Sequence, residues 1–463
     1  MSALQSARGP RRGSVLIVAL LSIILFSALA AAVAAFSGVN VQIGNNQRKL
    51  GDARACAESG LEVLRYWLSK VAFSGTTAPS NRFTTLATSL QNELTAAGVT
   101  NLEPLCDSST ITLANVPLNL SRHQSFSAVL TKIDNDNIRL EVTGHNGNLT
   151  RTIQSNLIFG QRANNVFDYG VATKGPLELS GNIDMEGATI AIESNAYIET
   201  DELLALSIIG NSQIAGNVKI TNPLANVHLQ GGQAGIGGET GQEATLPPYT
   251  EKGYPQTEFP EMVPATFASY VTSTLDPNIS TSAAVVLENV RIPAGMNPSF
   301  TGGATLRGVV WIEQPNVVTF AGNTTVCAVI VGNGSSTDHT GANSITFSGS
   351  LTSLPVSTLP QEPQFAGIRD QLGTFLMAPG FKANFQGPFT TVSGAIAANG
   401  IEFGGGAGGT IYGSLINYSP NPMACGGNND LVFNRSGLTE VPAGFVPQVI
   451  LRYDPSSYAE VAL

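Results

Sequence analysis

Residues 11–36 read RRGSVLIVALLSIILFSALAAAVAAF, and the way this stretch is understood decides the architecture of everything after it. Two arginines and a glycine close a basic leader, and residues 14–47 then carry no charged side chain. Residues 15–36 are almost wholly apolar; at ~1.5 Å per residue they make about 33 Å of helix, enough to cross a hydrocarbon core. A membrane-inserted helix is therefore expected, with Val15, Leu16, Val18, Leu20, Phe26 and Phe36 facing lipid or other helices. A cleaved export signal is the competing reading, since Ala32-Val33-Ala34 has the small-residue pattern of a cleavage site.

The continuation of the chain beyond the apolar run favours the first reading. No proline occurs between Phe36 and Pro79. Leu50, Ala53, Ala57, Leu61, Leu64, Leu68 and Val71 recur at spacings of three and four, which places them on one helical face. Arg48, Asp52, Arg54, Glu58, Glu62 and Arg65 fill much of the remainder. One rod over 14–72 is expected, lipid-facing in its first half and amphipathic in its second, and far longer than an ordinary globular helix.

These residues carry a resemblance. Arg11-Arg12-Gly13-Ser14-Val15-Leu16-Ile17-Val18, together with Ala55-Cys56-Ala57-Glu58-Ser59-Gly60-Leu61-Glu62, resemble the N-terminal region of type IV pilin-like proteins, in particular PilX-like minor pilins and the K-type pseudopilins of type II secretion. The resemblance is good over the first 70 residues and weaker over the next 90. It implies cleavage by a prepilin peptidase after Gly13, with Ser14 as the mature N-terminus. It also implies a subunit contact at Glu58, with Gly60 beside it allowing close helix approach; a solvated helix charge is the plain alternative. In one respect the chain departs from the family: major subunits carry glutamate at the fifth mature position, where this chain has Val18. A carboxylate in the bilayer is costly unless paired, and the major subunits are thought to pair it with a neighbour's terminal amine. K-type pseudopilins also lack the acid and are placed at the filament tip, so the resemblance implies a tip or initiating subunit.

The rest of the chain looks soluble and exported. Its length of 463 residues suggests two or three domains with ample core material. A formal charge of −10 offers no basic footprint for nucleic acid. Cys56, Cys106, Cys327 and Cys425 form no CxxC pair, so no zinc site is expected, and no cofactor is implied. In an oxidising compartment four cysteines allow three disulfide connectivities, of which Cys327–Cys425 is the pair singled out; four reduced core cysteines are the alternative.

Beyond the rod, residues 84–97 read as a short helix, and the chain then turns to strands. Ile138, Leu140 and Val142 alternate with Arg139, Glu141 and Thr143, the pattern of a half-buried antiparallel strand. Asp134-Asn135-Asp136-Asn137 is its turn; the two aspartates lack the rest of a calcium loop. A rod at 14–72 plus a small α/β part at 80–160 forms a pilin-like first domain.

Past Asn164 the character changes. Only 11 of the 49 glycines lie in the first 160 residues. Leu177-x-Leu179-x-Gly181-Asn182 with Met185, Leu206-x-Ile208-x-Gly210-Asn211 with Ile214, and Val318-x-Phe320-x-Gly322-Asn323 with Val326 share one frame. Ile345-x-Phe347-x-Gly349 and Ile401-x-Phe403-x-Gly405 repeat its first half. Each reads as strand, corner, then an inward apolar side chain. Recurrence of such units suggests a parallel β-helix or related β-solenoid in two parts, 161–240 and 271–463; an antiparallel sandwich is the alternative. The prolines of 241–270 mark a linker or a strap over the solenoid. A short helix is expected at 367–376. The fold class is thus α+β at the N-terminus followed by a mainly-β region.

Signals for enzyme chemistry are thin, and no catalytic residue is assigned. The densest acidic run, Asp184, Glu186, Glu193, Glu199, Asp201 and Glu202, suits a solvated strand face better than a catalytic pair. Ser335, Asp338 and His339 share one loop, whereas a triad is assembled from separated elements. Gly404–Gly409 lacks a phosphate-loop lysine. The expectation is a structural subunit anchored once in the inner membrane, its head in the periplasm or outside on a filament. Its partners are then other pilin-like subunits, the prepilin peptidase, and a surface polysaccharide or a host or abiotic surface. The competing expectation is a secreted or surface-anchored β-helix enzyme or polysaccharide-binding protein whose leader is only an export signal. The sequence leaves pilus and secretion machinery open.

Overall fold

The computed structural model describes residues 12–99, 102–428, 430–435 and 441–461, with backbone only for 12–14. Residues 1–11 of the expected leader (1–13), and the side chains at the Gly13–Ser14 junction, lie outside the described residues. The chain divides into two compact units: 1–73, 77–160 and 450–463 form the first, and 74–76 with 161–449 the second.

In the first unit, helix α1 runs unbroken over Arg12–Lys70. The spacing of its apolar residues fixes which face is covered: Ala53, Ala57, Leu61, Leu64, Leu68 and the following Val71 are all buried, together with Cys56. They pack on a seven-stranded sheet (sheet I) whose central strands, Thr110–Asn119, Gln124–Lys132, Asn137–Asn146 and Leu149–Arg162, pair antiparallel. Ile138, Leu140 and Val142 are 0% exposed, so the alternation in sequence is an alternation in burial. Asp134 builds the preceding turn by accepting from the backbone N–H groups of Asp136 and Asn137, both at 2.8 Å. Helix α2, Arg82–Ala96, buries Phe83, Leu86, Leu90 and Leu94. Next to Leu149–Arg162 in sheet I lies the final strand, Gln448–Val461. The expectation that 271–463 belongs wholly to the second β region is corrected here: residues from 450 on return to the first unit, where their strand pairs in sheet I and Leu451 is buried.

The second unit is β-rich and its sheets are parallel. Sheets II, III and IV contain twelve, nine and seven strands. The chain visits them in turn: Val171–Thr173 (II), Leu177–Gly181 (III), Asp184–Gly187 (IV), then Ala196–Ile198, Leu204–Gly210 and Gln213–Ile214 in the same order. The frame repeated in sequence is repeated in register: Leu206 pairs with Leu177, Ile208 with Leu179, Gly210 with Gly181, and Ile214 with Met185. Among the described strands of these three sheets, the pairing of Gly235–Ile236 with Glu239–Thr240 is the antiparallel exception.

The order of strands in space is not their order in the chain. The first coil starts in the middle of sheet II at Val171–Thr173 and winds to one end, at Thr250–Lys252. Residues 253–272 then cross to the opposite end, where Ser273–Thr274 begins a second coil. This coil winds back until Leu415–Asn417, Met423–Gly427 and Leu431–Phe433 pair with the three strands that opened the first. A hydrogen bond from Asn417 Nδ2 to Thr173 Oγ1 (2.9 Å) ties the seam.

Two layers of core result. The interior holds the inward residues of all three sheets, among them Phe300, Phe320, Phe347, Phe385 and Phe403. The outer face of sheet II is also apolar (Val309, Trp311, Val329, Val331, Ala397, Ile416) and is covered by Phe259 and Phe267 of the crossing segment and by Phe365 and Ile368. Sheet II strands are buried on both faces, as parallel strands usually are. This explains one miss: the helix expected at 367–376 is a single 3-10 turn, Ile368–Asp370, followed by the strand Thr374–Ala378, all five of whose residues are buried.

Candidate functional site

Two features of the surface stand apart. The first is the N-terminal half of α1. Val15, Leu16, Val18, Leu20, Phe26 and Phe36 are each more than half exposed, with Val15 at 70% and Phe36 at 71%. The richest 18-residue window has a mean hydropathy of 2.8, and by length and composition the helix can cross a membrane. Leaving this much apolar side chain in water would cost roughly 1.5–3 kcal/mol for each large residue, so the segment requires an apolar environment.

The amphipathic half belongs to the first unit itself. A Cβ on Gly60 would stand 2.6 Å from the Phe126 ring and 2.9 Å from Val142. Gly60 therefore lets α1 approach its own sheet, which corrects its expected role at a subunit contact. Glu58 is half exposed and accepts from Arg54 Nε (3.0 Å) and from the Tyr458 hydroxyl (3.4 Å). Arg54 and Arg151 both reach Glu460, at 3.7 and 3.5 Å. Glu58 is thus engaged within its own unit, in a network that links α1 to the last strand.

The second feature is a groove of about 660 Å³ in the parallel-sheet unit. It lies along the turns that lead from sheet II to sheet III, at the seam where the two coils meet. Lys174 comes from the turn after Val171–Thr173, Glu199, Asp201 and Glu202 from the turn after Ala196–Ile198, and Tyr418 from the turn after Leu415–Asn417. The crossing segment supplies Gln256, Phe259, Glu261 and Met262, and the loop between Thr324–Asn333 and Ser344–Phe347 brings Ser336 and His339.

The crossing segment is a fixed wall. Thr257 N donates to the Tyr197 hydroxyl (2.8 Å), Asn164 Nδ2 to Glu258 O (2.8 Å), Tyr418 Oη to Pro260 O (2.5 Å), and Val446 N to Glu261 O (3.0 Å). The Lys174 ammonium sits 5.0 Å from the centre of the Phe259 ring, a cation–π contact. Burial raises the pKa of Glu199, against the pull of Lys174 and of the Tyr197 hydroxyl.

His339 has a defined tautomer. Asn399 Oδ1 accepts from Gly380 N (3.0 Å), and Asn399 Nδ2 donates to Ser336 O (2.7 Å) and to His339 Nδ1 (2.9 Å). With the amide oriented by the first two bonds, Nδ1 must be the acceptor, so the neutral ring carries its proton on Nε2. Ser335 Oγ bonds Thr337 and Asp338 bonds Gln314, Thr340 and Asn343, so no triad is assembled.

The acidic run is divided between surfaces. Asp184 and Glu186 lie on sheet IV, while Glu199, Asp201 and Glu202 line the groove. Glu193 is buried and accepts from the backbone N–H groups of Thr189, Ile190 and Arg435. Among the described residues no group of three or more His, Cys, Asp or Glu side chains is placed to hold a metal ion. The expected Cys327–Cys425 disulfide is absent and all four cysteines are free thiols. Cys425 points into the interior, in register with Phe403 and Leu179, whereas Cys327 lies on the outer side of sheet II beside Thr358. Two cysteines on opposite faces of different sheets cannot meet the distance a disulfide demands. Burial, then Glu402, pushes the Cys425 thiol up to about 12, which keeps it protonated.

Residues 254–262 and His339 escaped sequence reasoning as site components. Each is remote in sequence from the turns it joins; proline punctuation marked the crossing segment, and His339 was weighed only for a triad with Ser335 and Asp338.

No family model and no curated protein matches the chain. Among solved structures it is similar to the competence-associated pilin ComZ from Thermus thermophilus, at 13% identity over 89% of this chain and 98% of that one, with a TM-score of 0.28. A likeness of that score carries no argument, and function is reasoned from the chain's own residues.

Proposed function

We propose that this protein is a pilin-like minor subunit, anchored by residues 14–36 in the inner membrane and assembled through that helix at or near the tip of a type IV pilus or type II secretion pseudopilus. One observation carries the reading: a single 59-residue helix leaves its apolar half exposed and buries its amphipathic half in an antiparallel sheet. An export signal needs no such continuity, since everything up to the cleavage point is discarded. Val18, where a major subunit has glutamate, supports the tip position, because a subunit with nothing above it has no terminal amine for a buried acid to pair with.

The second unit is, in this reading, a parallel β-helix displayed outward as a head. The cyclic visiting of three sheets in register supports it. The head acts by contact, without catalysis.

The test is the mature N-terminus. Prepilin-peptidase processing leaves Ser14 first and keeps the helix; Gly13→Leu blocks it. Intact mass and N-terminal sequencing of the protein from its native membrane read this directly. A mature chain beginning at Ala35 would overturn the filament reading in favour of a secreted protein.

A further inference from the structure

The groove at the seam is built from five chain segments: two turns of the first coil, one turn of the second, the crossing segment, and the 334–343 loop. Its volume falls in the range of ligand sites, and it sits where structural parts join, as such sites commonly do. Its wall is held by backbone and side-chain hydrogen bonds on both sides, so the shape exists before any ligand arrives. Pre-formed shape spares a ligand the cost of ordering the site.

The lining defines what fits. The turn after Ala196–Ile198 contributes Glu199, Asp201 and Glu202 to the lining, and the crossing segment contributes Glu261. Lys174, held over the Phe259 ring, offsets one of these charges. The groove is therefore negative, and hydrogen-bond acceptors outnumber donors. Phe259, Pro260, Met262 and Pro420 add apolar side chains to the lining. Phosphate, uronic acid and nucleic acid are repelled by such a lining. A matching ligand is cationic, rich in hydroxyl donors, and has C–H faces to lay against these apolar side chains. A peptide offers one backbone N–H per residue; an amino sugar offers an ammonium and several hydroxyls on each ring.

We propose that this groove binds an oligosaccharide of hexosamine units carrying free amino groups. The ammonium groups meet Glu202 and Glu261, and hydroxyls donate to Glu199 and Asp201. The assignment does not depend on how the N-terminus is processed or on whether the protein enters a filament.

The probe is a glucosamine tetramer with all amines free, titrated calorimetrically into the full-length protein in neutral detergent. Binding is expected to be at least tenfold tighter than for the fully N-acetylated tetramer and to weaken with salt. Glu202→Gln/Glu261→Gln, both exposed positions, is expected to lower affinity tenfold or more, and Glu186→Gln on sheet IV to leave it unchanged. Near-UV circular dichroism identical to the parent confirms the folding of each variant, and Asp201→Asn replaces either groove change that fails this check. No binding of the free-amine tetramer, equal binding of the N-acetylated one, insensitivity to the groove variants, or equally tight binding of tetralysine would each overturn the proposal; the last would assign the groove to basic peptides.

Discussion

Gly60 sets the distance between the rod and its sheet. Any side chain there meets the Phe126 ring, which is itself fully buried and has nowhere to go. Gly60→Val is expected to destabilise the first unit by about 1–3 kcal/mol through overpacking. Trp67 on α1 reports this unit and Trp311 the other, and these are the chain's only two tryptophans. Urea unfolding followed by Trp67 fluorescence in a Trp311→Phe background measures the loss. Glu193 provides a case of pH dependence. Burial works to raise its carboxyl, and the backbone N–H groups of Thr189, Ile190 and Arg435, with the Arg435 charge, outweigh it, so its pKa is lowered. A depressed carboxyl stabilises the fold above the unfolded glutamate value of about 4.3 and loses that contribution as pH falls through the folded value below it. Glu193→Gln places an amide NH2 against at least one backbone donor, at about 1–3 kcal/mol. The gap between parent and variant, read by Trp311 fluorescence in urea, should be constant from pH 7 to 5 and close toward pH 3. A gap that widens on acidification would refute the depressed pKa.

Single elements in the second unit gain little alone and much from stacking. The inward residues of sheet III run Phe300, Phe320, Phe347, Phe385, Phe403, Cys425, Leu179, Ile208 and Leu229 in successive register. The five phenylalanines stack at centroid separations of 5.3, 5.2, 5.2 and 4.9 Å, with interplanar angles between 11° and 17°. Offset stacks of this kind add to plain burial. Phe320→Ala removes a ring with neighbours on both sides and should cost about 3–5 kcal/mol, while Thr319→Ala on the outer face should stay within ~0.5 kcal/mol. Trp311 fluorescence separates the two. At the corner beyond this column, Gly210 (φ +92°) follows Gly181 (φ +105°) so closely that a Cβ would stand 2.3 Å from the carbonyl oxygen of Gly181. The Gly-Asn frame was legible because the repeats at Gly181 and Gly210 satisfy the same two constraints, an inward apolar pair and a positive-φ corner. The Val318 frame obeys only part of this: its Gly322 is absent from the positive-φ residues, and it stacks on Ile345 and Phe347 in the second coil, away from Leu177.

At the scale of the whole molecule, orientation in the membrane follows from charge. Arg8, Arg11 and Arg12 precede the apolar run with no acid among them, while Arg48, Lys49 and Arg54 beyond it are mixed with Asp52 and Glu58. For the anchoring proposed above, the positive-inside bias predicts a leader in the cytoplasm and a head outside. Protease added to spheroplasts should remove the head, and full protection would reverse the orientation. The rod, its buried face, the alternating strand at 138–142 and the repeating rung are all legible in the bare sequence, because each rests on a local period of 3.6, 2 or one turn of the chain. Long-range packing settles the remainder. The second coil begins at the far end of sheet II and closes on the first, Cys425 fills a place in a phenylalanine column, the last strand returns to sheet I, and five separate segments meet in one groove. Those facts depend on which surfaces find each other across tens to hundreds of residues of chain, and no local pattern encodes a partner at that distance.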